Sequence, residues 1–410
     1  MQYITKTINP LPLLLIYSLL PGISKLLDSR IIFLANVPII LFAIAKSRFE
    51  PSVPTIVAGL YFCFSLAQTA VLVFAGAANV LAALTSTYMY LLPVLGIYTA
   101  SLWDTEKFMS SIVVIAIVHA LIGILLYNII PLPGVLADAA FKLKDGVFQF
   151  RMASVSGSIA FGVLMTCGLM CSCYLERKTG KSAYLFASLL LYVCVILSQQ
   201  RSAWGVSTLF LGWHVLRDIK SVAKVGAAGV LLFFALNSML GDQSPELGEF
   251  FGQRIAATLG QDGGQSESIV SERSHMWANA WGVFNKNLLG IGIGQGGLVA
   301  NVQEVNQEIV VTDGDYFHIL LESGLYGIAC YALIIGMIYR IFLTRHAPMK
   351  MKYVAWVPVG ATLQMVGSNL TELYFTNFLL WVFIGLACKE YSNCMTERIS
   401  GRIGVQLRPI

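Results

Sequence analysis

Long apolar runs separated by short polar breaks fill the chain from residue 8 to residue 388. A helix that is apolar all round faces lipid or lies inside a bundle, and about 20 such residues cross the hydrocarbon of a bilayer. The pattern predicts about twelve spans, at Ile8–Ile23, Ile31–Ala45, Thr55–Ala75, Val80–Leu102, Met109–Leu132, Ile159–Leu175, Ala183–Leu197, Ser202–Leu216, Val222–Leu240, Tyr316–Leu343, Tyr353–Leu370 and Tyr374–Cys388. Only Thr371 and Glu372 mark the break between the last two. Between the ninth and tenth spans lies the one long polar segment, residues 241–312. The expected organisation is therefore a nine-span unit at 1–240, a large external loop at 241–312 containing short helices, and a three-span unit with a tail at 313–410. The fold class is all-α, a polytopic transmembrane helical bundle.

Composition sharpens this picture. Hydrophobic residues make up 57% of the 410 and charged residues 12%, an apolar surplus that no soluble interior absorbs. A soluble enzyme, a disordered scaffold and a nucleic-acid binder are excluded, and membrane lipids are the expected surroundings. With the N-terminus inside, two-thirds of the 27 Lys and Arg fall on the cytoplasmic side, as the positive-inside rule asks of a protein with both termini cytoplasmic. Pro10, Pro12 and Pro21 in the first span, with no small-residue cleavage site, argue against a cleavable signal peptide. The eight cysteines lie in or beside apolar segments, which gives no external disulfide framework. Cys167, Cys171 and Cys173 sit close together, but no histidine or carboxylate joins them in that span; small packing residues are the better reading, and neither metal nor cofactor is expected.

Positive charge on the outer side is the exception, and it is concentrated on arginine. Arg201 lies in Ser198-Gln199-Gln200-Arg201-Ser202, a polar turn clamped between two spans. A snorkelling anchor would account for it, but Gln200 adds a donor at the same place. Arg151 opens a Ser-rich stretch before the sixth span, where caps and free N–H groups favour an anion. Arg254 and Arg273 lie in the long loop, the latter on an amphipathic segment with Met276, Trp277, Ala280, Trp281 and Phe284 expected against the membrane. A guanidinium fork binds phosphate oxygens in pairs, so arginines gathered at one surface point to an anionic lipid head group, a diphosphate above all. The glycine string Gly290–Gly297 follows no strand and is a weak nucleotide signal; it reads as a turn that lets backbone approach the membrane surface closely.

Acidic groups open the tenth span. Asp313 and Asp315 suit a helix start by complementing its dipole, and Thr312 suits the N-cap. Asp315, His318 and Glu322 share one helix face, and ionisable groups at such depth serve a pathway or a reaction. A carboxylate or a His–Asp pair beside arginines is what removing a proton from a hydroxyl nucleophile requires.

These residues resemble the bacterial O-antigen polymerase/O-antigen ligase superfamily. Ser271–Gln295 is similar to its arginine–tryptophan–glycine block, Asp313 to Gly327 to the helix start that follows, and Gln200-Arg201-Ser202-Ala203-Trp204 to its arginine turn, while Arg151 matches an arginine that opens an earlier helix. The resemblance implies a metal-independent GT-C-like glycosyltransferase at the periplasmic face of the bacterial inner membrane. Its substrate would be undecaprenyl-diphosphate-linked oligosaccharide, with a chain-length-regulating copolymerase as a further partner. Arg151, Arg201, Arg254, Arg273 and Gln200, with Glu322, would bind substrate and its diphosphate; Asp313, Asp315 and His318 would be the catalytic candidates. Ligases of the superfamily carry His-Asn where this chain has Asp313-Gly314, and His318 lies five residues further on. Polymerisation of O-antigen, capsule or exopolysaccharide repeat units is therefore the first expectation, transfer to lipid A–core the second. A lipid-linked oligosaccharide flippase or transporter is the third; His119 and His214 are the mid-span ionisable groups, and both read as packing or interfacial.

Overall fold

The computed structural model describes residues 9–24, 52–128, 141–144, 147–150, 152, 154, 158–198, 200–216, 265–297 and 314–406. In chain order the helices are α1 (Leu11–Ser24), α2 (Val53–Phe74), α3 (Val80–Leu102), α4 (Thr105–Asn128), α5 (Ser158–Thr179), α6 (Ser182–Leu197), α7 (Arg201–Leu216), α8 (Gln265–Lys286), α9 (Asp315–Leu343), α10 (Met349–Gln364) and α11 (Tyr374–Gln406). Among the described residues five are long and apolar enough to cross a bilayer: α2, α3, α4 over Thr105–Leu125, α5 over Ile159–Thr179, and α9. The chain is a multi-pass helical membrane protein. The expected spans at 31–45 and 222–240 lie outside the described residues, as do 241–264 and 298–312 of the long loop.

Local sequence sets the helix ends. Ser52 accepts from Thr55 N and Pro54 occupies the first turn of α2, where a missing N–H costs nothing. Asn79 caps α3 by accepting from Leu81 N and Ala82 N. Helix α11 runs well beyond the expected end at Cys388, because no glycine or proline intervenes before Gly401. Between α4 and α5 the structure adds an element absent from the all-helical expectation. A hairpin pairs β1 (Phe141–Lys144) with β2 (Val147–Phe150), Phe141 opposite Phe150. Its pattern is plain in retrospect: Phe-Lys-Leu-Lys alternates, and Asp145-Gly146 between the strands is a hairpin dipeptide.

Helices α3 and α11 pack most closely. A Cβ at Gly96 would stand 2.6 Å from Trp381 Cβ, and one at Gly385 would stand 2.6 Å from Ala100 Cβ. Small residues at such a seam let backbones meet, which replaces the hydrophobic driving force that lipid does not supply. Trp381, Phe383, Phe108 and Phe161 fill the interior. By contrast α2 presents Phe64, Val71 and Phe74 outward, the last 91% exposed, a face suited to acyl chains rather than water. His119 is buried between Ser154 Oγ (2.6 Å) and Ser18 Oγ (3.0 Å), and His214 bonds Tyr353. Both are buried, which favours packing over an interfacial place.

Among the described residues the connections fall at two ends. At one end Glu106 pairs with Lys178, Lys350 with Glu390 (2.9 Å), Thr105 Oγ1 donates to Glu390 (2.6 Å), and Lys389 donates to Trp103 O (2.8 Å). At the other end Asn79 meets Gln295, Gln200 and Ser202 meet Ser368, and Gly314 meets Asn369. The sequence candidates that the structure describes gather at this second end.

Candidate functional site

The site is built around a break in α9. Gly324 has φ 61° and ψ −154°, a conformation that only glycine adopts without strain. Such a break strands backbone groups, and each unsatisfied one costs several kcal/mol in hydrocarbon. The glycine string supplies the missing partners. Leu321 O accepts from Ile291 N (2.9 Å), Glu322 O accepts from Gly292 N (3.0 Å), and Leu325 N donates to Leu288 O (3.0 Å). Gly290, Gly292, Gly294 and Gly297 all have positive φ, which turns the string's N–H groups toward α9 and α2. Gln68 Nε2 donates to Gly290 O (2.8 Å) and Ile293 N to Thr69 Oγ1 (2.8 Å). The string does bring backbone into close approach, but against a broken helix rather than the membrane surface.

This splice holds a buried ionic cluster. His318 Nε2 lies 3.3 Å from Glu322 Oε1 and 3.4 Å from Glu372 Oε1. Glu322 also accepts from Gly296 N (3.0 Å) and from Tyr90 OH (2.7 Å). Asn369 Nδ2 donates to Glu372 Oε2 (2.5 Å), while Asn369 Oδ1 accepts from Gly314 N (2.7 Å). The side chains of this cluster are buried, and Glu322 is only 1% exposed. Tyr61 stacks on Tyr90 at 5.2 Å and bonds Ser323, closing the cluster on the α2 side. A cavity of about 30 Å3 opens beside it, lined among others by Ser86, Tyr90, His318, Glu322, Glu372 and Asn377. Among the described residues no group of three His, Cys, Asp or Glu side chains is arranged to hold a metal ion.

Asp315 is fully buried, and its carboxylate holds the link between α10 and α11. It accepts from Leu370 N (2.7 Å), Thr371 N (3.0 Å) and Thr371 Oγ1 (2.5 Å), while its own N–H donates to Met365 O (2.9 Å). These bonds occupy the oxygens that a base would need free. Asp315→Ala would orphan two buried N–H groups at about 1–3 kcal/mol each. The melting temperature in detergent should drop by several degrees, whereas a residue serving only the reaction would leave it unchanged.

The arginine turn borders the same link. Gln200 is buried and donates from Nε2 to Ser368 Oγ (3.3 Å), and Ser202 Oγ bonds the same hydroxyl (3.0 Å). Arg201, between them, is half-buried and begins α7. Trp204 pins the turn by donating from Nε1 to Val195 O (2.8 Å). Thus Arg201 and the cluster share one scaffold, Ser368-Asn369-Leu370-Thr371-Glu372. Helix α8 covers the start of α9, with Trp277 stacked on Phe317 at 5.2 Å and Ala280 and Phe284 buried. Of the face expected to meet the membrane, these side chains meet protein and Trp281 is left exposed. Arg273 lies on α8, its side chain outside the described part; Arg151, Arg254 and Asp313 lie outside the described residues.

Residues 186–332 match the O-antigen ligase family. This match supports the O-antigen ligase/polymerase superfamily. The matched stretch runs from α6 to the middle of α9, so it contains the Arg201 turn, α8, the glycine splice, His318 and Glu322. Glycosyl transfer of the O-antigen ligase/polymerase type is the activity this family implies. No curated protein matches the chain.

Glu372, Asn369 and Tyr90 are the site residues that reading the sequence missed. Glu372 was visible only as the polar break between the last two spans. The signal was its charge: a carboxylate where four uncharged residues would have made a turn needs a partner, and His318 is that partner.

Proposed function

We propose that the chain polymerises oligosaccharide repeat units carried on undecaprenyl diphosphate at the periplasmic face of the bacterial inner membrane. The observation that carries this reading is His318, buried between two carboxylates at the end of the bundle that also holds Arg201. An acceptor hydroxyl attacks the anomeric carbon of the donor, and the bond from that carbon to the diphosphate oxygen breaks. Charge then develops at two places. The departing diphosphate gains negative charge, which guanidinium groups are suited to take; Arg201 has that role, with Arg151, Arg254 and Arg273 as further candidates. The hydroxyl gives up its proton, for which Asp313 is the candidate base, while His318 pairs with Glu322 and Glu372 and orders the site beside it. Asp315 keeps the α10–α11 link in place, and Asp313, next to Gly314, remains a candidate for orienting the acceptor.

The polymerase reading rests on Asp313-Gly314. Gly314 has φ 120°, and a Cβ there would stand 2.8 Å from Val366 O, so the asparagine of a ligase-type His-Asn pair does not fit this backbone. Purified protein supplied with lipid-linked repeat units should give a ladder of lengthened glycans. Transfer of one block to lipid A–core without lengthening would establish the ligase instead. Movement of labelled lipid-linked sugar across sealed vesicles at constant glycan length would establish a flippase.

A further inference from the structure

A proline inside α3 prepares a second feature beside the ionic cluster. Pro93 has no N–H, so it leaves the carbonyl of Met89, one turn earlier, without its helical partner. Asn377 takes that place: its Nδ2 donates to Met89 O (3.1 Å) and to Thr371 O (2.8 Å). Both hydrogens of the amide are thereby used, which fixes Oδ1 as a buried acceptor, and nothing donates to it. Two more buried atoms lack a hydrogen-bond partner, Ser86 Oγ and His318 Nδ1. All three residues line one cavity, which lies between α2, α3, α9 and the start of α11 and is open on one side.

The hydrogens on these atoms define the missing partner. His318 lies between Glu322 and Glu372, so its ring is held as the imidazolium and both nitrogens donate. Nε2–H serves the carboxylates, and Nδ1–H is left over. Asn377 Oδ1 only accepts, and the Ser86 hydroxyl is free to donate. An anion has no hydrogen for Asn377 and meets two carboxylates; an ammonium has no lone pair for His318. A neutral hydroxyl satisfies all three from one oxygen, with two lone pairs and one hydrogen. Water would do so as well, yet most of the wall is not built for water: Met89, Pro93, Ile319 and the rings of Tyr61 and Tyr331 border the same space. The part that the centre of a water molecule can reach is about 30 Å3, whereas the hollow with its open side is about 440 Å3. The occupant can therefore be one edge of a larger molecule, held by a few polar groups set in an apolar wall. Hydroxyls on an apolar ring face are the chemistry of a sugar.

We propose that this cavity is a sugar subsite, in which one hydroxyl accepts from His318 Nδ1 and Ser86 Oγ and donates to Asn377 Oδ1. That the sugar belongs to the acceptor rests on the glycosyl-transfer reading above; the subsite itself does not. The bound hydroxyl is not the nucleophile, because an oxygen that accepts from an imidazolium loses electron density and keeps its own proton. It is held so that a different hydroxyl of the same sugar is presented to the donor. The three side chains thus select which sugar is accepted. One that lacks this hydroxyl, or carries it in the opposite configuration, leaves three buried groups unpaired, and sites built to bond a hydroxyl discriminate strongly on that ground.

The probe is the free repeat-unit oligosaccharide, released by mild acid from the host's own lipid-linked glycan and titrated calorimetrically into the full chain in lipid nanodiscs. Saturable binding is the expected result, weakened about tenfold in Ser86→Ala, the worth of one hydrogen bond between neutral groups. The melting temperature of that variant should match wild type, since the hydroxyl it removes has no partner in the empty site. No saturable binding, or equal affinity in wild type and Ser86→Ala, overturns the subsite. A density map with the oligosaccharide bound gives a second reading. A sugar oxygen within about 3.2 Å of all three atoms is expected; a lone water-sized peak, or the glycan seated elsewhere, overturns the proposal. If the oligosaccharide binds in this way but lipid-linked repeat units are never extended, the glycosyl-transfer reading fails while the subsite stands.

Discussion

Replacing Arg201 by alanine is expected to slow chain extension by about 10²–10³-fold, the usual effect of removing one preorganised donor from a site of developing negative charge. Two observations favour an effect of this size. The side chain is half-buried, so its field is less screened than that of a solvated surface charge. Its backbone is fixed by neighbours that the substitution leaves alone: Gln200 and Ser202 on Ser368, and Trp204 on the end of α6. The melting temperature should accordingly stay close to wild type, which separates a lost contact from a lost fold. Arg201→Lys should recover only part of the rate, because an ammonium keeps the charge but not the planar fork that meets two phosphate oxygens at once. A snorkelling anchor predicts otherwise: alanine would cost little activity, and lysine would replace arginine fully. Initial rates on lipid-linked repeat units, measured with all three proteins, distinguish the two accounts.

Elements were legible in the sequence wherever one physical cause acted alone. The apolar runs marked the crossings because lipid imposes length and polarity together, and the expected Tyr316–Leu343 and Val80–Leu102 differ little from α9 and α3. The shared face of Asp315, His318 and Glu322 followed from helical spacing. What spacing could not give was the division of labour within that face. Asp315 turns to the α10–α11 link, whereas His318 and Glu322 turn to Glu372 and the glycine string. That division depends on contacts between residues more than 25 positions apart, which a single sequence does not encode locally. The glycine string shows the same limit. Its composition announced close backbone approach, but not that the surface approached was a helix broken at Gly324, since a lone glycine within a spanning helix is common. Likewise Glu372 was legible as a charge and illegible as a partner.

Gly297→Ala should abolish most activity while leaving the protein folded. Gly297 has φ 70°, and a Cβ there would stand 1.7 Å from Glu372 Oε1 and 3.0 Å from His318 Cδ2. The backbone strain alone costs about 1–3 kcal/mol, which a bundle of this size should survive with a lower melting temperature. The steric conflict is more specific. A flexible carboxylate is what stands in the way, so Glu372 gives ground, its contact with His318 breaks, and the imidazolium loses one of its two counter-charges. A loss of about 10²-fold or more in chain extension follows if this ion cluster orders the site, the scale of one preorganised electrostatic contact. Gly212→Ala is the matched control, since a Cβ there meets nothing within 4 Å and Gly212 lies within α7; its rate should equal wild type. The decisive variant combines Gly297→Ala with Glu372→Asp. A carboxylate shortened by one methylene makes room for the new methyl group, so the double variant should be faster than Gly297→Ala alone. If the shorter acid gives no recovery, the damage lies in the backbone of the string, and the pairing of Glu372 with His318 is not what the glycine protects.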